Sequence, residues 1–303
     1  MRAFTLLLLC SLLGPARAQE ILPPANARIF ANGPQGVALE WPGSPKSRYF
    51  LQITTGQVMV VEQEVTGNSI SVTLRPGLAY QWKVNAIKDG GFQEIVPTRL
   101  FEIVTDTQIS ASGSPGSAGG LGNRRSNYRG LAGGRGGHGV NLTATLEPLG
   151  SYVKLSITGA PANRLYYFAP GAGPLILASL GGQGGNGGPG TNGLDAVFNY
   201  QTGYITPPEP GGDGGDGGDG GAGGTITVIS NGLPVSQYLL FDTRGGAGGA
   251  PGYGGRGGAG VTIPIEWQRR RRPQGYGYGE VRAPNGRDGV PGRNGPDGRV
   301  VIR

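Results

Sequence analysis

The sequence predicts an all-β protein: a β-sandwich followed by a bundle of polyglycine/polyproline II helices interleaved with short β-strands. Three observations predict it. Between Val37 and Val104 short runs alternate apolar and polar residues, with Gly, Pro and Asn between them, which is the pattern of half-buried strands. Glycine then changes the character of the chain: nine of the 62 glycines precede residue 106 and the other 53 fall in residues 106–303, well above the usual share of about 7%. Those later glycines recur at every third position in six blocks, a fixed period that argues for a repeating architecture.

The chain divides into residues 1–18, 19–105 and 106–303. The first part reads as a secretory signal peptide, with a basic start at Arg2, an apolar run Leu6–Leu13 and the small-x-small site Ala16-Arg17-Ala18. That run is too short to cross a bilayer, so the mature chain is expected to begin near Gln19 without a membrane span. The expected location is secreted or cell-surface, with the periplasm as a further compartment. Cys10 is the only cysteine; Leu9 precedes it and the apolar run continues beyond it, which argues against lipidation. An exported chain of this size without disulfides suits a bacterial source, which makes the sequon Asn141-Leu142-Thr143 incidental.

Charge is unevenly placed. Residues 19–105 carry seven basic and seven acidic side chains, residues 106–243 six and eight, and residues 244–303 eleven and four, so the last sixty residues hold +7. Such an end suits an anionic partner: polysaccharide, lipopolysaccharide or an envelope protein. Export makes nucleic acid an unexpected one.

In the second part the strand runs are Val37–Trp41, Tyr49–Ile53, Val58–Val61, Ile70–Leu74, Tyr80–Val84 and Leu100–Val104. The stretch Leu74-Arg75-Pro76-Gly77-Leu78-Ala79-Tyr80-Gln81-Trp82-Lys83-Val84-Asn85-Ala86 resembles the fibronectin type III pattern. In that pattern a leucine and a Pro-Gly turn lead to a corner tyrosine and an alternating strand ending in Val-x-Ala. Trp41, ahead of Pro42, matches the family's buried tryptophan. The resemblance covers residues 22–105 and implies that Tyr80 and Trp41 are core residues. It leaves the function open, because such a fold binds or merely spaces.

The glycine blocks are Gly113–Gly122, Gly130–Gly139, Gly181–Gly193, Gly211–Gly223, Gly246–Gly258 and Gly286–Gly298. Three residues per turn is the period of the polyproline II helix, which makes no internal hydrogen bonds. Glycine along one edge lets a neighbouring backbone approach and exchange the N–H and C=O bonds that neither can make alone. Gly-Gly-x blocks such as Gly211-Gly212-Asp213 bare two edges, whereas 113–122 and 286–298 read mostly Gly-x-y and are expected on the outside. Apolar runs adjoin the blocks at Val140–Leu146, Leu175–Leu180, Thr225–Ile229, Tyr238–Phe241, Val261–Ile265 and Val300–Ile302. They are expected as sheet layers or a cap that supply the apolar burial glycine lacks.

Two rival readings fare worse. The collagen-like repeat around Gly286-Arg287-Asp288-Gly289-Val290-Pro291-Gly292 is too short for a triple helix. A flexible linker needs neither the shared period nor the alternation with apolar runs. The interleaved blocks resemble the polyglycine II bundles of distal tail-fibre adhesins of T-even-like phages, and less closely mycobacterial glycine-rich repeat proteins. This is a likeness of repeat style over residues 113–303, and it implies a rigid core of helices with recognition loops at one end. The signal peptide departs from the phage pattern, so a tail-fibre role itself is not implied.

Catalysis has little to work with. Past the signal peptide the chain has one histidine, His138, inside a glycine block, and no cysteine, so neither a Ser-His nor a Cys-His relay has its parts. We expect no enzyme, no cofactor and no metal site. Asp213, Asp216 and Asp219 resemble calcium-binding Gly-Asp repeats, but on a helix of three residues per turn their carboxylates stand about 9 Å apart, too far to share one ion. A solvated acidic edge, or one facing arginines, is the expectation. The leading binding loop is 267–280: Trp267, Arg269, Arg270, Arg271 and Arg272, then Tyr276 and Tyr278 between glycines. Arginines there can hold phosphate or carboxylate bidentately while the aromatic rings stack on sugar faces. The second candidate loop carries Tyr200 and Tyr204 between two glycine blocks, placed either to recognise a ligand or to cap the bundle.

The functional expectation is an adhesin-like binding protein that presents loops on a rigid glycine-rich scaffold to an anionic glycan or envelope partner. The alternative is a structural subunit of an extracellular matrix, fibre or envelope layer, and self-association is compatible with either.

Overall fold

The computed structural model describes residues 20–31, 33–123, 127–159, 164–266 and 281–303. The signal peptide lies outside the described residues. Among the described residues regular structure is almost all β, with helix reduced to short turns such as Val235–Gln237. Among the described residues no helix is long and apolar enough to cross a membrane. The chain forms two compact units: the first runs to Thr105 and also takes Pro148–Val153 and Tyr166–Ala172, and the second holds the remainder.

In the first unit the alternating runs become strands, most of which bury one face; the edge strand over Val58–Thr66 is the exception, with Val58, Met59 and Val60 exposed. These are β1 (Ala27–Phe30), β2 (Gln35–Glu40), β3 (Arg48–Thr55), β4 (Val58–Thr66), β5 (Ser69–Leu74), β6 (Ala79–Lys88) and β7 (Gly91–Val104). One antiparallel sheet has the order β4-β3-β6-β7, with β1 added parallel to β7, and β2 pairs with β5 as a second sheet. Val37, Leu39, Leu51, Ile53, Val84 and Ile103 are fully buried around Trp41 and Trp82. The Tyr80 hydroxyl donates to the Arg75 carbonyl at 2.9 Å and accepts from the Arg75 N–H at 3.1 Å, pinning the corner before β6. The unit is all-β, two sheets packed around one core. Both indole N–H groups are buried without an acceptor among the described residues. An unsatisfied donor costs about 1–3 kcal/mol, less than the roughly 4–6 kcal/mol gained by burying an aromatic ring.

Two later segments complete this unit. Tyr167 and Phe168 pair parallel with Ile29 and Phe30, and the Phe30 and Phe168 rings meet edge to face at 5.2 Å. Glu40 accepts from the N–H and hydroxyl of Ser151, and the Tyr152 hydroxyl donates to the Ala38 carbonyl at 2.6 Å. Burial, and secondly the charge of Glu40, push the Tyr152 phenol above its ordinary value of 10.0. The folded unit therefore favours the neutral phenol, so this stabilisation is complete below pH 10.0 and is lost as the pH rises past it. Alkaline unfolding followed by circular dichroism is expected to be steeper in the parent chain than in Tyr152→Phe. Identical alkaline limbs would rule Tyr152 out as the source.

The second unit continues the strand count with β8 (Gln108–Ser110), β9 (Leu142–Leu149), β10 (Tyr152–Thr158), β11 (Arg164–Phe168), β12 (Leu175–Ala178), β13 (Val197–Phe198), β14 (Ile205–Thr206), β15 (Thr225–Ile229), β16 (Leu239–Asp242) and β17 (Arg299–Ile302). The outer residues of β9, β10 and β11 belong to the first unit. β8, β12 and β16 form a parallel sheet in the order β16-β12-β8, and β17, β15 and β9 pair in parallel in that order. Between these sets run six glycine segments, 113–122, 130–139, 181–193, 211–224, 245–258 and 285–298. The chain thus repeats strand, glycine segment, turn, glycine segment and strand three times over. Leu142, Leu146, Leu175, Leu177, Ile226, Val228 and Leu239 are buried and supply the apolar burial at the strand end of each repeat. The apolar run Val261–Ile265, expected to resemble the others, forms no strand; Ile263 is instead buried against Phe198 and Ile205.

Backbone hydrogen bonds join the segments with a period of three. Gly182, Gly185 and Gly188 donate to the carbonyls of Gly137, Gly134 and Leu131, each at 2.8 Å, which makes the second and third segments antiparallel. Gly184, Gly187 and Gly193 donate at 2.8 Å to Ala247, Ala250 and Arg256, which makes the third and fifth parallel. The fourth segment does the same, to the third through Gly215 and Gly218 and to the sixth through Gly214 and Gly217. Segments one, three and five thus run one way and two, four and six return. The first bonds to the second and third, and the sixth to the fourth and fifth.

Space, not torsional freedom, explains the glycines. None in the six segments takes a positive φ. A Cβ on Gly185 or Gly218 would lie closer than 3.0 Å to a backbone carbonyl of the next segment, Ser117 or Gly134 respectively. At Gly120 it would meet only the Leu131 methyl, at 3.4 Å. Gly218→Ala is therefore expected to destabilise by about 3 kcal/mol or more through overpacking, and Gly120→Ala to stay within about 1 kcal/mol of the parent. Urea unfolding measures both, and equal effects would contradict backbone contact as the reason for glycine.

Candidate recognition surface

Three turns join outgoing to returning glycine segments: 123–129, 194–210 and 259–284. Their common location follows from register. Gly122 donates to Pro189, and Gly190 and Gly193 to Tyr253 and Arg256. The outgoing segments are therefore parallel and end together, so the three turns leave side by side from the end opposite the parallel sheet of β8, β12 and β16.

The first tip is closed by the Tyr128 N–H donating to Asn123 at 2.8 Å. Asn127 and Tyr128 both take left-handed φ, 50° and 61°, a conformation uncommon for a ring-bearing residue. The Tyr128 carbonyl accepts from Thr191 at 3.0 Å, tying the first tip to the end of the third glycine segment. Arg129 pairs with Asp216 at 3.1 Å.

The second tip is a small hairpin, β13 paired antiparallel with β14. Asn199 Oδ1 accepts from the N–H groups of Gln201 and Thr202 at 2.9 and 3.1 Å, and Gly203 takes φ 71° to turn the chain back. Phe198 and Ile205 point inward onto Ile263 of the third tip and form the cap. Tyr200 and Tyr204 are 68% and 48% exposed, Tyr200 standing edge-on to Phe198 at 5.1 Å. The inward residues thus do the capping and leave both phenol rings to solvent.

The third tip contains the loop singled out in the sequence. Trp267, Arg269, Arg270, Arg271, Arg272, Tyr276 and Tyr278 lie outside the described residues. The described residues on either side of it are Glu266 and Val281.

The aspartates of the fourth segment have a defined task. Asp213, Asp216 and Asp219 each accept, through Oδ1, the backbone N–H of Arg287, Val290 and Arg293 at 2.7, 2.8 and 2.8 Å. Carrying both segments three residues further sets Ala222 opposite Pro296, which has no N–H to satisfy. Asn186, Asn192 and Asp195 serve the fifth segment and its exit in the same way. His138 Nδ1 accepts the Ala222 N–H at 3.1 Å, and Asn141, the sequon residue, accepts from Thr225 at 2.8 Å. Among the described residues no group of three or more His, Cys, Asp or Glu side chains is placed to hold a metal. The sequence predicts a solvated acidic edge at Asp213, Asp216 and Asp219, or one facing arginines; Asp216 does meet Arg129, but all three first serve backbone donors. The signal that expectation passes over is Asn or Asp directly before glycine, repeated at the block period.

Asp216→Ala is expected to cost about 1–2 kcal/mol, the penalty of an orphaned N–H and a lost charge-assisted bond. Asp216→Asn, which keeps an acceptor, should cost less. Calcium or EDTA should leave the parent's melting temperature unchanged, and a calcium-dependent rise would restore the metal reading.

No family model matches the chain, and no curated protein matches it. Among solved structures it is similar to the chicken CNTN1 FN1–FN3 domains in their crystal structure, at 14% sequence identity, covering 58% of this chain and 70% of that one with a TM-score of 0.20. A likeness so slight carries no functional argument.

Proposed function

We propose that this chain is a secreted or cell-surface binding protein, adhesin-like in action, whose glycine segments are polyglycine II helices bundled into a rigid mount for three recognition tips. One observation carries the reading: three turns of different composition leave the same end of a scaffold whose backbone is bonded at every third residue. The three-residue period and the side-chain-free contacts support the polyglycine II assignment. Loops held on a rigid scaffold are where recognition is usually built.

The partner is an anionic polysaccharide, lipopolysaccharide or other envelope component. Arginines Arg269 to Arg272 supply bidentate donors for carboxylate or phosphate, and the exposed Tyr200 and Tyr204 supply faces for sugar rings. No cofactor and no catalytic step enter this reading. The rival reading, a matrix or fibre subunit, requires surfaces along which copies can join; the outer positions of the sixth segment, Arg287, Val290, Arg293 and Pro296, instead carry exposed side chains.

The test is a pull-down of the full chain on whole envelopes and on immobilised lipopolysaccharide. R269A/R270A/R271A/R272A is expected to lose at least about tenfold in binding, since a charge-assisted contact contributes roughly 1.5–3 kcal/mol, with the circular dichroism spectrum unchanged. Full binding by that variant and by Y200A/Y204A would refute the tip assignment.

A further inference from the structure

The third glycine segment hands a row of N–H groups to the fifth. Gly181, Gly184, Gly187, Gly190 and Gly193 donate to the backbone carbonyls of Arg244, Ala247, Ala250, Tyr253 and Arg256. One repeat later the matching positions of the fifth segment are Gly245, Gly248, Pro251, Gly254 and Gly257. Their N–H groups go to side chains instead. Gly245 donates to Asp297, Gly248 to Asn294, Gly254 to Asp288 and Gly257 to Asn285, each to Oδ1 at 2.8–2.9 Å.

The remaining position shows that this pairing is specific. Pro251 has no N–H, and the residue of the sixth segment that falls opposite it in the same three-residue step is Pro291. Acceptor side chains stand at each position with a donor and are missing where there is none. Elsewhere in the unit an N–H row of this kind bonds a parallel glycine backbone, so a bare row is a template for another one, as an unpaired strand edge is for another strand.

We propose that Asn285, Asp288, Asn294 and Asp297 are an edge cap: they occupy the donors of Gly245, Gly248, Gly254 and Gly257 and so prevent a second copy of this chain from adding its own glycine segment there. The cap keeps the protein discrete, and its removal converts the edge into a self-association surface. It does not depend on which ligand the tips bind.

Sedimentation velocity on the full chain over a hundredfold concentration range tests this. The parent is expected to stay monomeric, and N285A/D288A/N294A/D297A to self-associate with concentration. P251G adds an uncapped donor and should raise association at least tenfold above the parent; P251G/P291N supplies the missing acceptor and should abolish that rise. If the quadruple variant does not fold, D288A serves in its place, read by amide exchange at Gly254, which should quicken at least tenfold. A parent chain that associates as strongly as the variants, folded variants that remain monomeric, or unchanged Gly254 exchange in D288A would overturn the proposal.

Discussion

Backbone-to-backbone hydrogen bonding across glycine edges is the constraint on which the second unit rests. Such segments have almost no apolar side chains to bury, and each ordered residue gives up about 1–2 kcal/mol of backbone entropy, while a hydrogen bond returns about 0.5–1.5 kcal/mol net. Bonds alone fall short. Two additions close the gap: Asp and Asn side chains that take up the third N–H of many triplets, as Asp213 does for Arg287, and the strands at each segment's base. The buried residues Leu142, Leu175, Ile226 and Leu239 hold each repeat in register, so the glycine bonds form between segments already aligned.

The same constraint bears on the proposed recognition. Parallel outgoing segments bring unlike turns to one end without any turn having to fold by itself. The tyrosine hairpin illustrates this: Phe198 and Ile205 are buried on Ile263 from the next repeat, so the exposed Tyr200 and Tyr204 stand on a base fixed from outside their own loop. Side chains that could have formed a metal or acid–base site are spent on backbone donors, as with Asp216 and His138.

Much of this was legible in the sequence where the signal is local. Alternation in Tyr49–Ile53 and Tyr80–Val84 marks strands because burial on one face is a property of neighbouring residues. The Tyr80 corner is legible for the same reason, its partner Arg75 being five residues away. The excursions at 148–153 and 166–172 are not, since Tyr152 meets Ala38 across 114 positions and nothing near either residue announces the other. The period of three was plain, but not the pairing of six blocks into three repeats. The donors of Asp213 and Asp219 lie 74 residues downstream, an offset fixed by turn lengths and not by any local pattern. The run Val261–Ile265 misled because apolar composition cannot separate a paired strand from a segment that tucks one side chain, Ile263, under a neighbouring loop.

The most direct measurement is residue-resolved amide hydrogen exchange of the intact protein across its glycine segments. The account predicts that the amides of Gly182, Gly185 and Gly188, and of Gly215, Gly218 and Gly221, exchange only through cooperative opening of the unit, with protection comparable to that of the buried strands. Exchange of those amides at the rate of an unstructured chain, while the strands stay protected, would contradict it.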